Sequence, residues 1–517
     1  MSFISFTFVI FLISTLILYY LVPKKFQLAL LCIANTVYYC LWNYKNLVFI
    51  VFSALVTFYA AKLVSYLNEG LKARKALVSK DEFKVLKAQT LTKKRFVLVG
   101  MLFLNAGMLI LLKYYLVIFS SMSLILPLGI SYYTLQTIAY FMDIYNGKYA
   151  REENFFKYYT FVSFFPQLLM GPFNRYDGLG LQLKKEHNLK FENFKKGLTS
   201  ILYGALKKYI VADMLVVRIS DIFDPGYVNL PGAYIVLGVF LYAVYQYMDF
   251  SGGINMILGI AKLFDINMQP NFRQPYFATS IADFWRRWHI SLGLWMKDYI
   301  FYPLAFTKFM QKISKSLNSS GHKHLARTIP AGISNLVVFC LVGLWHGPEL
   351  HFLLWGLYNG LIIAISDFCK PFFDKVNAFL HINVKGKAFH VFRIVRTFIL
   401  VTIGGYFDRI VDVKQCFTYM KNSIVNFGNV KELFKVVSLS QVFGNVATIG
   451  SQLTLVFIGC ITVFIISFLK ENKVDVYQKI QQKNIAVRWL FYYVPIILIM
   501  ISFAFSEADS EFMYAQY

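Results

Sequence analysis

The sequence predicts an all-α polytopic integral membrane protein with about twelve transmembrane helices, joined by re-entrant and amphipathic segments. Composition is the first reason: of 517 residues, 57% are hydrophobic, 18% aromatic and only 15% charged, with a mean hydropathy of +0.53. Water-soluble domains run near 25% charged, and a soluble chain of this size would need several separate cores. The second reason is distribution. Apolar residues fall in runs of about 17 to 24, the length that crosses a hydrocarbon layer of roughly 30 Å.

Taken in order, the runs are 3–22, 26–42, 47–67, 96–119, 122–142, 197–217, 329–346, 351–369, 448–469 and 488–505. The run 391–410 has a short apolar centre, because Arg393, Arg396, Asp408 and Arg409 intrude. Residues 233–264 read as one crossing interrupted at Asp249-Phe250-Ser251-Gly252-Gly253, where irregular backbone is tolerable only inside protein or beside water. These runs divide the chain into N-terminal helices (1–142), a motif-bearing core (143–369) and C-terminal helices with a tail (370–517).

The formal charge of +25 would point to nucleic acid in a soluble protein. Here its location decides otherwise. Residues 68–95 carry nine Lys/Arg against three acids, 297–328 six against one, 370–396 six against one, and 470–488 five against two. These stretches hold a net 19 of the 25 charges. The runs above place all four on one side, which the positive-inside rule makes cytoplasmic, and leave both termini outside. The acidic tail with Glu507, Asp509 and Glu511 then lies outside too. No cleavable signal is expected, because the first run lacks a basic lead-in and is followed by Pro23-Lys24-Lys25. The six cysteines show no CxxC spacing, so neither a disulfide framework nor a zinc site is expected.

Three segments do not behave as plain spans. In Tyr158 to Asp177, Pro166 and Gly171-Pro172 break any helix twice, so a re-entrant turn is expected, with Arg175 its odd residue. In Asp283 to Pro303, one continuous helix would place Trp285, Trp288, Leu292, Trp295 and Tyr299 in an aromatic stripe. Arg286, His289, Gly293 and Lys297 would form a second stripe about 100° away. Such a helix either lies on the membrane surface against anionic lipid or presents a cationic platform to a phosphate-bearing ligand. In Leu341 to Asn359, His346 ends an apolar run beside Trp345, and Gly347-Pro348 stops the helix. An ionisable residue at that depth is a functional candidate by default, although a histidine at a helix end also serves as a packing or capping residue. Proline speaks against a His346/His351 metal pair. Asp249 either orients a partner or caps the break, and His187, His322, His324, His381 and His390 are expected in solvent.

Four stretches in order, FVSFFPQLLMGPFNRYD (161–177), YMDFSGGINMILGIAKLFDINMQPNF (247–272), DFWRRWHISLGLWMKDYIFYPL (283–304) and LVGLWHG (341–347), resemble the membrane-bound O-acyltransferase family. The likeness is to the branch that holds the alginate O-acetyltransferase membrane subunit, its peptidoglycan O-acetylating relatives and the teichoic-acid D-alanyl transferase membrane subunit. This resemblance implies a ring of helices around a central tunnel, a thioester donor arriving from the cytoplasm, and an acyl group leaving on the outer face. It implies His346 and His289 as catalytic residues. The candidate donor or substrate contacts are Arg286, Arg287, Trp285, Trp288, Trp345, Arg175 and Asp249, and no metal is expected. Acetyl-coenzyme A or a carrier-protein thioester would be the donor substrate, with no bound cofactor. An extracytoplasmic polysaccharide, or a secreted SGNH-type (Ser-His-Asp) acetyltransferase partner, would receive the group. The C-terminal EFMYAQY, ending at Tyr517, only approximates the aromatic ending of the branch.

Acylation of a lipid or a secreted peptide keeps the fold, but the FWRRWH segment speaks against it. A transporter or flippase suits broken helices and paired cations, and would show an internal repeat that this sequence lacks.

Overall fold

A computed structural model of the chain describes residues 5–118, 126–168, 170–224, 230–428, 446–505 and 512–513. Every regular element among them is helical. Among the described residues, eight stretches are long and apolar enough to cross a membrane: Lys24–Arg74, Lys80–Tyr114, Gly232–Leu263, Lys323–His346, Leu350–Phe368, Lys387–Arg409, Gln452–Glu471 and Ile485–Ala504. The first, at 51 residues, joins helices Gln27–Asn43 and Leu47–Arg74 through one tight turn at Tyr44–Asn46. A polytopic helical protein is therefore established, though not the number twelve. The acidic tail residues Glu507, Asp509 and Glu511, the terminal Tyr517 and the start of the 122–142 run lie outside the described residues.

The chain forms two compact units: residues 1–198 with 257–269, and residues 199–256 with 270–517. In the first, the basic 68–95 stretch is a helical hairpin rather than a loop, since helices run to Arg74 and restart at Lys80. Ser79 and Glu82 start the second helix with a reciprocal capping box, the Ser79 N–H donating to Glu82 Oε2 at 3.0 Å and the Glu82 N–H to Ser79 Oγ at 3.3 Å.

The segment 158–177 is broken as its prolines require. Helix Phe155–Ser163 ends, a short turn Phe165–Leu168 follows, and extended chain leads to Arg175. Buried amides satisfy the broken backbone. Asn35 accepts from the Phe165 N–H at 3.0 Å, and Gln167 Nε2 donates to the Phe161 carbonyl at 2.7 Å. A Cβ on Gly171 would sit 2.3 Å from the Gln167 Cα, so only glycine lets the chain fold back this tightly. His187, expected in solvent, is instead buried, with Nε2 3.0 Å from the Gln182 carbonyl and its ring 3.6 Å from Asp265.

In the second unit, two expectations are corrected. Gly232–Leu263 is one unbroken helix through Asp249–Gly253. Gly252 serves packing: a Cβ on Gly204 would meet the Gly252 carbonyl oxygen at 2.5 Å, so the two backbones touch there. The segment 283–303 is a chain of short pieces, Ile281–Trp285, Ile290–Met296, a wide π turn Lys297–Phe301 and Tyr302–Ala305, so the single pair of helical stripes does not form.

The remaining frame is the hairpin of Lys323–His346 and Leu350–Phe368. Its helices approach so closely that a Cβ on Gly343 would lie 2.4 Å from the Phe352 carbonyl oxygen, and one on Gly356 2.3 Å from that of Phe339. Close approach through small residues is how membrane helices gain packing when lipid is as apolar as leucine. Gly356→Val should therefore force the hairpin open at a cost of roughly 1–3 kcal/mol, typical of overpacking. The readout is the thermal unfolding midpoint in detergent. An unchanged midpoint would reject the contact.

Candidate active site

His289 is placed by an asparagine. The Asn271 carbonyl accepts the Ile290 N–H at 3.0 Å, while its side-chain oxygen accepts the Ser291 N–H and Oγ–H, each at 2.9 Å. Its carboxamide also lies 3.2 Å from His289 Nδ1. Docking of 290 and 291 onto Asn271 turns the chain, and His289 takes the left-handed conformation (φ 45°) at the start of helix Ile290–Met296. A non-glycine residue stores strain in that region, and such strain concentrates at functional sites. The imidazole is 3% exposed, and burial pushes it down to about 3, so the ring is neutral.

Helix Lys323–His346 carries the second histidine at its last position, before Gly347 turns the chain away. Trp345 joins the two rings. Its indole lies 6.3 Å from the His289 ring centroid and 5.0 Å from that of His346. Phe250 packs edge-on to His289 at 4.9 Å, while Trp355 and Phe352 wall His346 at 5.3 and 5.9 Å. Two buried imidazoles are thus held among the same aromatic side chains, joined through Trp345.

The tryptophans divide. Trp285 donates its indole N–H to Asn359 Oδ1 at 3.1 Å and meets Trp355 edge-on at 5.4 Å, which ties the segment to the hairpin behind His346. Trp288 is packed among Phe272, Phe284 and Tyr276, and has become core. The adjacent arginines divide as well. Arg287 Nη1 reaches both oxygens of Glu471 at 2.9 and 2.8 Å, and its Nε lies 3.1 Å from Asp283. Arg286 has a side chain 68% exposed, 3.7 Å from Asp283. Arg286 is available to an incoming anion, whereas Arg287 is a strut.

Asp249 is fully buried with both oxygens engaged: Oδ1 pairs with Lys208 Nζ at 2.8 Å, and Oδ2 accepts the Met513 N–H at 2.9 Å. Lys208 also pairs with Asp213 at 2.9 Å, and the Phe512 ring lies 4.7 Å from its ammonium. Phe512 and Met513 are therefore held against the helix that carries Phe250. Sequence reasoning missed this triad, although a Lys-Lys pair inside the apolar run 197–217 was its signal. It gave no role to Asn271, which lies within the quoted 247–272 stretch. Arg175 belongs to the first unit, 3.7 Å from Asp143.

A model of the membrane-bound O-acyltransferase family matches residues 150–406. The chain is 30% identical over 388 residues to the probable alginate O-acetylase of Pseudomonas fluorescens, covering 75% of this chain and 68% of that protein. The chain belongs to the membrane-bound O-acyltransferase family. A probable alginate O-acetylase of Pseudomonas syringae pv. tomato is 32% identical over 281 residues, so that match spans 54% of this chain and about half (48%) of the relative's length. The peptidoglycan O-acetyltransferase of Helicobacter pylori is 27% identical over 528 residues, covering 93% of this chain and 89% of that one. The matched region contains Arg175, Asp249, His289 and His346, and ends before Glu471 and Met513.

Asn271→Leu, of similar volume, should leave the helices folded but release His289 and the Ser291 N–H. Loss of one hydrogen-bonded anchor of this kind is worth roughly 1–3 kcal/mol. Acyl transfer should accordingly fall by roughly 5- to 150-fold, each 1.4 kcal/mol costing tenfold. Full activity in a variant with normal melting would reject the positioning role.

Proposed function

We propose that this chain transfers an acyl group, acetyl first among them, from a thioester donor on the cytoplasmic side of the cell membrane to a hydroxyl acceptor on the outer side. The observation that supports it most is the pair of buried histidines joined through Trp345. The donor is acetyl-coenzyme A or a carrier-protein thioester, and the acceptor is a cell-wall or exopolysaccharide glycan, reached directly or through a secreted SGNH-type partner. In this reading both termini are extracytoplasmic, and the four basic stretches face the anionic donor.

The chemistry asks for little. A neutral His346 takes the proton of the acceptor hydroxyl, the oxygen attacks the thioester carbonyl, and a C–O bond forms as the C–S bond breaks. The proton held by His346 then passes to the leaving thiolate, so ester and free thiol are the products. A positioned base supplies typically 10² to 10⁴-fold, and the aromatic walls protect the thioester from hydrolysis. His289, fixed by Asn271 on the other side of Trp345, supports the donor side of the same path. Arg286 meets the donor's phosphates as a charge-assisted hydrogen-bond partner.

Purified protein in liposomes, given acetyl-coenzyme A inside and a soluble glycan outside, should release free thiol only when acceptor is present. His346→Ala should lower that rate by about 10² to 10⁴-fold, the range a general base supplies. Movement of glycan without thiol release would replace the proposal with transport. Arg286→Ala should raise the apparent donor KM severalfold with a small change in kcat, and an unchanged KM would remove Arg286 from the donor site.

A further inference from the structure

The basic stretches 297–328 and 370–396 each contain an amphipathic helix, Lys308–Ser319 and Lys370–Phe379. At about 1.5 Å per residue these are roughly 18 and 15 Å long, too short to cross a bilayer. They sit at the same end of the Lys323–His346 and Leu350–Phe368 hairpin. Lys308–Ser319 leads into the first of those helices and packs against it, and Lys370–Phe379 follows directly from the second. His324 ties that end together, its Nε2 donating to the carbonyls of Asp367 at 2.9 Å and Phe368 at 3.3 Å. His346 is at the opposite end, so the two short helices lie a full helix length from it.

Their faces differ in a way that names a partner. On Lys370–Phe379, Phe372, Phe373, Val376, Phe379 and the following Leu380 fall within one arc of about 120°. The protein does not cover this arc: Phe372 is 64% exposed and Phe379 81%. Lys370 and Lys375 flank it. On Lys308–Ser319, Met310, Ile313 and Leu317 turn toward the protein. Phe309 projects beside them, 67% exposed, and Lys308, Lys312 and Lys315 line the far face. Against these five exposed lysines the two helices carry a single acid, Asp374. An uncovered aromatic arc edged by lysines, continuous with the end of a candidate span, matches the depth of an acyl–headgroup boundary, and the charge excess matches phosphate.

We propose that the helices Lys308–Ser319 and Lys370–Phe379 together form a ledge that binds anionic phospholipid headgroups in the leaflet at that end of the hairpin. The phenylalanines lie among the acyl chains, while the lysines hold the lipid phosphates.

Native mass spectrometry of the full-length protein, released from nanodiscs of equimolar phosphatidylglycerol and phosphatidylcholine, tests this. Wild type should retain phosphatidylglycerol over phosphatidylcholine by about threefold or more, as several lysines near an anionic surface imply. The variant with Lys308, Lys312, Lys315, Lys370 and Lys375 all replaced by Ser should fall to parity, and the matching five-Arg variant should keep the preference, which separates charge from misfolding. Parity in wild type, or an undiminished preference in the five-Ser variant, overturns the proposal. Displacement of the retained phosphatidylglycerol by added coenzyme A would overturn it in favour of a donor-phosphate site.

Discussion

Asn271 meets three consecutive residues, His289, Ile290 and Ser291, through one carbonyl and one carboxamide. Without those bonds the local sequence favours a continuous helix, with tryptophans on one side and cations on the next. With them the chain turns at His289, Trp288 goes into the core, Arg286 is left in solvent, and His289 is delivered against Trp345. The asparagine works because it is buried. An amide there cannot trade its partners for water, so each bond is held at nearly its full strength. Strain at φ 45° is the local cost, and the hairpin behind it, locked by the Trp285 to Asn359 bond, keeps the turn from relaxing.

Much of this was legible in the sequence, for a specific reason. Long apolar runs leave few alternatives once backbone polar groups must be satisfied internally, so Lys323–His346, Leu350–Phe368 and Gln452–Glu471 lie where hydropathy put them. The Gly347-Pro348 stop after His346 was equally plain. Misreadings arose where one residue type serves two physical ends. Gly252 and Gly253 read as a helix break, yet glycine also permits close helix approach, and the contact with Gly204 decided for packing. Pattern could not show that the 283–303 periodicity would be overruled by an asparagine a dozen residues upstream. His187 looked solvated because its sequence neighbours are charged, whereas its spatial neighbours Gln27 and Gln182 bury it.

Charge within the second unit is sorted by the cost of desolvation. Lys208 has no exposure and survives as a cation between Asp249 and Asp213, where removal of either carboxylate would leave a buried charge uncompensated. Its neighbour Lys207, also buried, is met instead by Ser251 Oγ at 3.0 Å, Asn255 Oδ1 at 2.9 Å and the ring faces of Tyr203 and Tyr247. Two adjacent lysines thus use two different solutions on one helix. Beside the first, the second oxygen of Asp249 accepts the Met513 N–H, which couples Met513 to the helix bearing Phe250.

The same sorting separates the two arginines of the RRWH segment. Arg287 is already charge-paired: its Nη1 meets both oxygens of Glu471 and its Nε faces Asp283, so an arriving anion gains less from it than from an open guanidinium. Its role is to hold the end of helix Val446–Glu471 against the turn that sets His289. Arg286, one residue earlier and on the other side of the chain, is left with a weak contact and open solvent. Adjacent and chemically identical, the two side chains differ in surroundings: Arg287 lies between two acids and Arg286 is largely exposed.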